Sequence, residues 1–220
     1  MDLTTLRPML ASSAEVSLTD SQHVYEPKYD GIRALIAVDA GMGDVRLTSR
    51  LGNDKTSQFS DLVRLLKAFA KRLKASVVLD GKIVALDPAG QPVGFQALQG
   101  RIHLTGGTER YLATKVPVAF IAFDILQDGL QDLTQLPLTA RRARLERVFE
   151  NSGNERLRLS GVVPNDGTAL YQRAQDEGWE GLIAKKADSR CRPYWRHLHS
   201  SLRVNRSSRW CCSSAVEGMN

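Results

Sequence analysis

Four apolar segments of strand length constrain the fold of this 220-residue chain more than any other feature. The longest apolar stretches are interrupted by charged residues, so they predict buried strands rather than a membrane-spanning helix. Two of the strands flank a turn rich in glycine, and the other two are longer and more apolar. The predicted strands are Arg33 to Asp39, Val45 to Ser49, Val77 to Leu86 and Val118 to Leu126.

Three segments with helical spacing of apolar residues lie between and after these strands. Apolar positions recur at helical spacing from Ser57 to Leu73, which predicts an amphipathic helix. A second helix is predicted from Thr139 to Glu150. A third is predicted from Asp166, which could cap it, to Glu177, and Gly178 ends it. Because strands and helices alternate without a regular βαβ rhythm, the pattern favours an α+β fold with antiparallel sheets.

Composition is consistent with one globular domain in a reducing compartment. Hydrophobic residues make up 42% of the chain, which is enough for one substantial core. The first ten residues contain no apolar signal-peptide segment. All three cysteines, Cys191, Cys211 and Cys212, lie in the last thirty residues, so the body needs no disulfide. We therefore expect a cytoplasmic protein.

The net charge of +6 is concentrated near the C-terminus. Residues 187–220 contain six arginines and two acidic residues, while the first 186 residues contain 24 basic and 22 acidic residues. The first 186 residues therefore have a surplus of two basic residues, which is ordinary for a globular domain. Charge alone is therefore weak evidence for nucleic-acid binding.

The segment Lys28-Tyr29-Asp30-Gly31-Ile32-Arg33 sets a lysine beside a carboxylate, a glycine and an arginine, at the head of the first strand. A free lysine has a pKa of about 10.4, so a lysine nucleophile needs burial or a neighbouring cation that disfavours the ammonium form. An arginine or a bound metal ion could supply that cation. Taken alone, the segment is more simply a polar turn before a strand.

Four more motifs follow in order, and a short entry segment precedes them. The motifs are Ser49 to Asp54, Val77 to Val84, Phe120 to Leu126 and Glu180 to Lys186, and the entry segment is Arg7 to Ala11. In residue type, order and spacing they resemble the nucleotidyltransferase (adenylation) domain of ATP-dependent DNA ligases, especially the small bacterial and archaeal kind that includes end-joining ligases. The resemblance covers about residues 6–193.

The resemblance implies a fold and a reaction. The fold is ATP-grasp-like: two antiparallel sheets flanked by helices, with the nucleotide in the groove between them. The OB domain that follows in the family is not expected within this chain. Lys28 would attack the α-phosphate of ATP, with Mg²⁺ as cofactor, and hold AMP as a phosphoramidate. The AMP would then pass to the 5′-phosphate of nicked or broken double-stranded DNA, and a 3′-hydroxyl would displace it.

The resemblance also assigns roles to other residues of the motifs. Asp30 belongs to the nucleotide site, as does Glu26, which would help to recognise adenine unless it is simply an exposed acid before Pro27. Arg33 and Arg50 would contact the sugar and phosphates, because a guanidinium fork matches phosphate oxygens.

Three further residues complete the implied site. Phe123 would stack on adenine, although it also fits a core aromatic in a buried strand. Glu180 would ligate Mg²⁺, which binds through few carboxylates. Lys185 would neutralise phosphate charge, while Lys186 points to the opposite face of the same strand.

One substitution departs from the family pattern inside the nucleotide site. Where the family has Asp-Gly-Glu, this chain has Asp80-Gly81-Lys82. The missing carboxylate normally accepts hydrogen bonds from the ribose hydroxyls, and an ammonium group cannot accept any. We therefore expect Lys82 to lie in the nucleotide site and to impair self-adenylation.

The second departure is the C-terminal segment. The family expects a Trp-x-Lys-x-Lys motif about fifteen residues after Lys186, followed by an OB domain, whereas residues 194–220 contain no lysine. We expect residues 1–193 to form the domain and residues 194–220 to be an aberrant, disordered tail. A zinc site is disfavoured, because adjacent cysteines have the wrong ligand spacing. Its ligands would be His197, His199, Cys211 and Cys212.

Two alternatives remain open at this stage. An RNA ligase or an mRNA-capping guanylyltransferase uses the same lysine chemistry. A catalytically silent nucleotide- or DNA-binding module would agree with Lys82 and the missing final motif. An OB domain or a repair partner could also act from a separate chain.

Overall fold

The structure is a computed structural model that describes residues 3, 6, 8–11, 16–102, 115–150 and 152–191, and the backbone of 199–203. These residues form two β-sheets with helices packed against them. The predicted α+β class is confirmed, and so are two sheets of mainly antiparallel strands. Among the described residues, no helix has the length and apolar character needed to cross a membrane.

The larger sheet contains seven strands and carries most of the core. Its main path has the order β3-β2-β4-β6-β7, with β5 added to β4 and β8 added to β6. All neighbours are antiparallel except β8, which pairs with β6 in parallel. The strands are β2 (Ile32–Val38), β3 (Val45–Ser49), β4 (Val77–Leu86), β5 (Pro92–Val93), β6 (Val118–Asp128), β7 (Gln131–Asp132) and β8 (Leu157–Leu159).

The smaller sheet contains four antiparallel strands in the order β11-β10-β1-β9. They are β1 (His23–Pro27), β9 (Val163–Pro164), β10 (Gly181–Lys186) and β11 (His199–Arg203). Strand β1, near the start of the chain, pairs with β10, near its end, so the sheet depends on pairing between distant parts of the sequence. The strands that carry the first and last motifs therefore lie side by side.

Strand β11 differs from what we expected for the C-terminal segment. Its backbone pairs with β10 from His199 opposite Lys185 to Arg203 opposite Gly181. This pairing uses main-chain groups at the open edge of β10, so it needs no hydrophobic side-chain period. The rest of the predicted tail, and with it Cys211 and Cys212, lies outside the described residues.

The helices cover the larger sheet and one face of the smaller sheet. They are α1 (Ser60–Ala70), α2 (Gln99–Ile102), α3 (Leu138–Phe149) and α4 (Thr168–Asp176), with 3₁₀ turns at Ser57–Phe59 and Phe95–Leu98. Helix α1 buries Leu62, Leu66 and Phe69, as its apolar spacing predicts. Each fully buried side chain of this size stabilises the fold by about 1.5–3 kcal/mol. Helix α4 ends before Gly178, whose φ of 68° is left-handed.

Alternation along the strands separates the core from a polar face. In β2, β4 and β6, the core side chains Ala34, Ile83 and Ala122 alternate with Arg33, Lys82 and Phe123. At the start of β2 the backbones approach closely: a Cβ at Gly31 would lie 2.3 Å from the carbonyl oxygen of Ile83. Glycine is therefore required here, and it fixes the segment before Arg33 against β4.

Candidate active site

A cavity of about 910 Å³ lies over the polar face of the larger sheet and reaches β1 and β10 of the smaller one. Seven of the nine predicted site residues line it, although they come from widely separated parts of the chain. These seven are Glu26, Lys28, Arg33, Arg50, Lys82, Phe123 and Lys185. The two sheets therefore converge on one site.

Lys28 directly follows β1 and faces Glu180, the residue just before β10. The Lys28 ammonium forms an ion pair with the Glu180 carboxylate, and the two side chains are 19% and 39% exposed. The Lys28 backbone N–H donates to the carbonyl oxygen of Gly181 at 2.9 Å. Main-chain pairing of β1 with β10 thus holds the predicted nucleophile beside the predicted metal ligand, where solvent can reach both.

Glu26 and Lys185 form a buried ion pair across the same two strands. Lys185 Nζ lies 2.7 Å from Glu26 Oε1, and the two side chains are 5% and 4% exposed. The alternative that Glu26 is an exposed acid is therefore wrong. Lys185 Nζ also lies 4.5 Å from the centroid of the Phe123 ring. Lys186 does not line the cavity, in agreement with strand alternation.

Arg33 is held by two hydrogen bonds to Asp80 on the neighbouring strand. Its Nε and Nη2 donate to the Asp80 carboxylate at 2.9 and 2.7 Å. Burial acts to lower the pKa of Arg33, but the charge and hydrogen bonds of Asp80 outweigh it and leave that pKa raised. This bidentate pair fixes the guanidinium plane, which leaves its other N–H groups free to meet an anion.

Phe123 lies on the cavity wall rather than in the core. It is half-buried, while its strand neighbours Ala122 and Asp124 are buried. Arg33 Cζ lies 4.8 Å from its ring centroid, so two cations, Arg33 and Lys185, contact the same ring. The alternative of a core aromatic is therefore wrong, and the ring is available to a ligand in the cavity.

Lys82 projects from β4 into the cavity opposite Arg33, its register partner on β2. Its ammonium donates to the carbonyl oxygen of Gly31 at 2.8 Å. Burial, followed by the charge of Arg33, lowers the pKa of Lys82, and Glu180 and Asp30 oppose this only in part. The substitution at this position therefore puts an additional cation beside the predicted nucleophile.

The remaining predicted residues and several unpredicted ones complete the cavity. Arg50 is exposed and lines it from the turn after β3. Asp30 is not on the lining; its Oδ2 accepts a hydrogen bond from the Phe95 backbone N–H at 2.9 Å. The cavity is also lined by three residues that were not predicted: Lys55, Phe95 and Ile102. No motif marks them, because only tertiary packing brings them there.

The donor set fits a magnesium ion that arrives with a nucleotide. Among the described residues, no group of three or more His, Cys, Asp or Glu side chains could hold a metal on its own. Mg²⁺ needs no such cage, since it binds through one or two carboxylates, water and substrate phosphates. Glu180 is not on the cavity lining, but its accessible carboxylate contacts the ammonium of Lys28, which is.

Another buried ion pair joins helix α3 to strand β6, which carries Phe123. Arg141 on α3 donates from Nε and Nη2 to both oxygens of Asp124 at 2.8 Å. Its Nη1 donates to the carbonyl oxygens of Leu136 at 2.6 Å and Ser189 at 3.0 Å. Arg141 therefore connects the strand that carries Phe123 to the segment that follows Lys185.

Comparison with known protein families agrees with these observations. Residues 8–199 match the model of the ATP-dependent DNA ligase domain. LigD of Mycobacterium tuberculosis, a multifunctional non-homologous end-joining DNA repair protein, is 36% identical over 189 residues, or 86% of this chain and 22% of that protein. DNA ligase C2 of Mycolicibacterium smegmatis is 35% identical over 198 residues, or 88% of this chain and 53% of that protein.

Solved structures show the same relationship. The ligase domain of M. tuberculosis LigD has a TM-score of 0.74 and 31% identity, covering 92% of this chain and 61% of its own. Mycobacterial DNA ligase D complexed with ATP and MES has a TM-score of 0.75 and 33% identity, covering 91% and 61%. The chain spans between a fifth and about half of the length of these two curated relatives. Since the family model covers residues 8–199, the chain belongs to the ATP-dependent DNA ligase domain family.

Proposed function

We propose that this chain is the adenylation domain of an ATP-dependent DNA ligase and that Lys28 takes AMP from ATP. One observation carries the proposal. The Lys28 ammonium contacts Glu180 at a cavity that Arg33, Phe123 and Lys185 also line. A lysine, phosphate-binding cations, an aromatic ring and an accessible carboxylate are the groups that nucleotidyl transfer to an amine requires.

In the proposed reaction, Lys28 Nζ bonds to the α-phosphorus of ATP. The bond from that phosphorus to the oxygen bridging the α- and β-phosphates breaks, and pyrophosphate leaves. The protons that the amine gives up pass to water through the open cavity. A covalent lysyl intermediate divides one condensation into easier steps, and the remaining demand is alignment and charge neutralisation.

The other cavity residues bind and orient the nucleotide. Arg33, fixed by Asp80, and Lys185, fixed by Glu26, face the phosphates with their remaining N–H groups. Phe123 offers its ring to the adenine. Arg50, at the exposed turn after β3, contacts phosphate as the nucleotide or the DNA end enters. Glu180 would hold Mg²⁺, and the ion would supply neutralisation of the phosphate charge when bound.

The subsequent steps define the proposed partners. AMP passes from Lys28 to a DNA 5′-phosphate at a nick or break, and a 3′-hydroxyl displaces it. DNA binding by an OB domain or a repair partner assists these steps. We place the reaction in the cytoplasm, where a reducing environment suits the buried free thiol of Cys191.

Transfer of label from α-³²P-ATP to the protein tests the proposal. The unmodified chain should become labelled, Lys28→Ala should not, and Lys186→Ala should label normally because Lys186 lies outside the cavity. Label from α-³²P-GTP instead would indicate a capping enzyme, and no label from either would indicate a silent binding module.

Lys82→Glu should raise labelling by about tenfold, because it restores an acceptor for the ribose hydroxyls. Undiminished labelling of Lys28→Ala would refute the assignment of the nucleophile.

A further inference from the structure

Among the described residues, six cations line the cavity, and half of them have a carboxylate partner. Three cations each have a carboxylate of their own; the pairs are Lys28 with Glu180, Arg33 with Asp80, and Lys185 with Glu26. Lys82 has no such partner, since no carboxylate among the described residues lies within ion-pair distance of its Nζ. Buried charges are normally paired, so this exception requires an explanation.

The surroundings of Lys82 are built for an anion rather than for a neutral partner. Its ammonium carries three N–H donors, and the carbonyl oxygen of Gly31 accepts one of them at 2.8 Å. Arg33, its register partner, and Lys28 act to lower the pKa of Lys82, while the carboxylates of Glu180 and Asp30 act to raise it from beyond ion-pair distance. Two donors of a half-buried ammonium therefore remain beside two other cations in a cavity of about 910 Å³.

Other unpaired cations of the lining do not share this environment. Arg50 is exposed, and Lys55, although half-buried like Lys82, belongs to the turn segment beyond β3. Lys82, by contrast, projects from the middle of the ten-residue strand β4. Solvent screens the charge of the exposed Arg50 at little cost, whereas the half-buried Lys82 lies beside the charge of Arg33, its register partner.

We propose that Lys82, together with Arg33 and Lys28, forms an anion subsite that binds a phosphoryl group without help from the adenine. Its ligand class is inorganic pyrophosphate or the polyphosphate end of a nucleotide. The proposal rests on the proposed function only in taking the cavity as the nucleotide site. The substitution of a cation for a carboxylate here exchanges hydrogen bonds to ribose for affinity towards phosphate.

Isothermal titration calorimetry with pyrophosphate tests this subsite on the full chain. The titrations are done in EDTA, so that no metal contributes. Lys82→Met should weaken pyrophosphate binding about tenfold or more, because one charge-assisted hydrogen bond is worth at least one decade. Lys82→Arg should retain binding within about threefold. Lys186→Met is the matched control, because it removes the same charge outside the cavity and should leave pyrophosphate binding unchanged.

Parallel titrations with adenosine and ATP separate this inference from the proposed function. Binding of pyrophosphate and ATP that depends on Lys82, without binding of adenosine and without label transfer from α-³²P-ATP, would support the subsite and contradict the nucleotidyltransferase proposal. If ATP binds, but Lys82→Met and the unmodified chain have equal affinity for pyrophosphate, the subsite alone would be overturned. An equal loss in Lys186→Met and Lys82→Met would also overturn it, because the effect would then be one of net charge. Circular dichroism melts confirm that each variant is folded.

Discussion

Arg141→Met should destabilise this protein more than any substitution of a surface arginine. Arg141 is fully buried and donates four hydrogen bonds, two to Asp124 and one each to the carbonyl oxygens of Leu136 and Ser189. Methionine approximates the volume of the side chain but cannot replace any of these donors. The substitution therefore leaves a buried carboxylate and two carbonyl oxygens without their partner.

The expected cost follows from these contacts. Breaking a buried ion pair by removing one partner costs about 3–5 kcal/mol, because the other charge remains buried. Unsatisfied carbonyl oxygens add to this cost, so we expect a loss of at least about 4 kcal/mol in the free energy of unfolding. The total free energy of unfolding of a natural protein is about 5–15 kcal/mol. The midpoint of thermal unfolding should fall by about 10 °C or more.

Urea denaturation followed by circular dichroism measures the loss. Arg147→Met on the same helix is the control, and it should change stability by less than about 0.5 kcal/mol because Arg147 is exposed. Combining Arg141→Met with Asp124→Leu removes the stranded charge, so the double variant should recover about 2 kcal/mol relative to the sum of the single losses. A loss below about 1 kcal/mol for Arg141→Met, or full additivity in the double variant, would refute this account of the pair.

Three further outcomes are expected. Phe123→Ala should weaken ATP binding about tenfold in calorimetric titration, since stacking on an aromatic ring is worth about 1–3 kcal/mol, and unchanged affinity would remove adenine from this ring. Lys185→Met should lower the yield of label from α-³²P-ATP about tenfold and Lys186→Met should not, whereas equal effects would show that strand face is irrelevant. Burial raises the pKa of Cys191 to about 12 from an ordinary 9.0, so an unfolded chain loses this proton first and stability falls as the pH rises between these values. Relative to Cys191→Ala, the unmodified chain should therefore lose about 1 kcal/mol of unfolding free energy between about pH 8 and pH 10, and a constant difference would contradict the burial of this thiol.

Several elements of the fold were predictable from the sequence because their signals are local. Strand β4 was predicted as Val77 to Leu86 and has those bounds. Helix α1 was predicted from its apolar spacing, although it ends at Ala70 rather than Leu73. Strand alternation also separated Lys185 from Lys186 correctly. Each of these depends on residues close together in the chain.

Other features could not be predicted, because the partners are distant in sequence. The pair of Glu26 and Lys185 joins residues 159 positions apart, so only the pairing of β1 with β10 decides that Glu26 is buried. The apolar run around Phe123 is equally compatible with a buried ring. The open cavity over one face of β6 decides otherwise.

The sequence by itself determined the order of the motifs and the α+β class. These follow from residue type and spacing along one strand or turn. Only the tertiary structure decided which charges are paired: Asp80 is committed to Arg33, Asp30 to the backbone of Phe95, and Lys82 to no carboxylate among the described residues. The physical reason is that an ion pair depends on the distance between side chains from different strands, and the pairing and curvature of the two sheets set that distance.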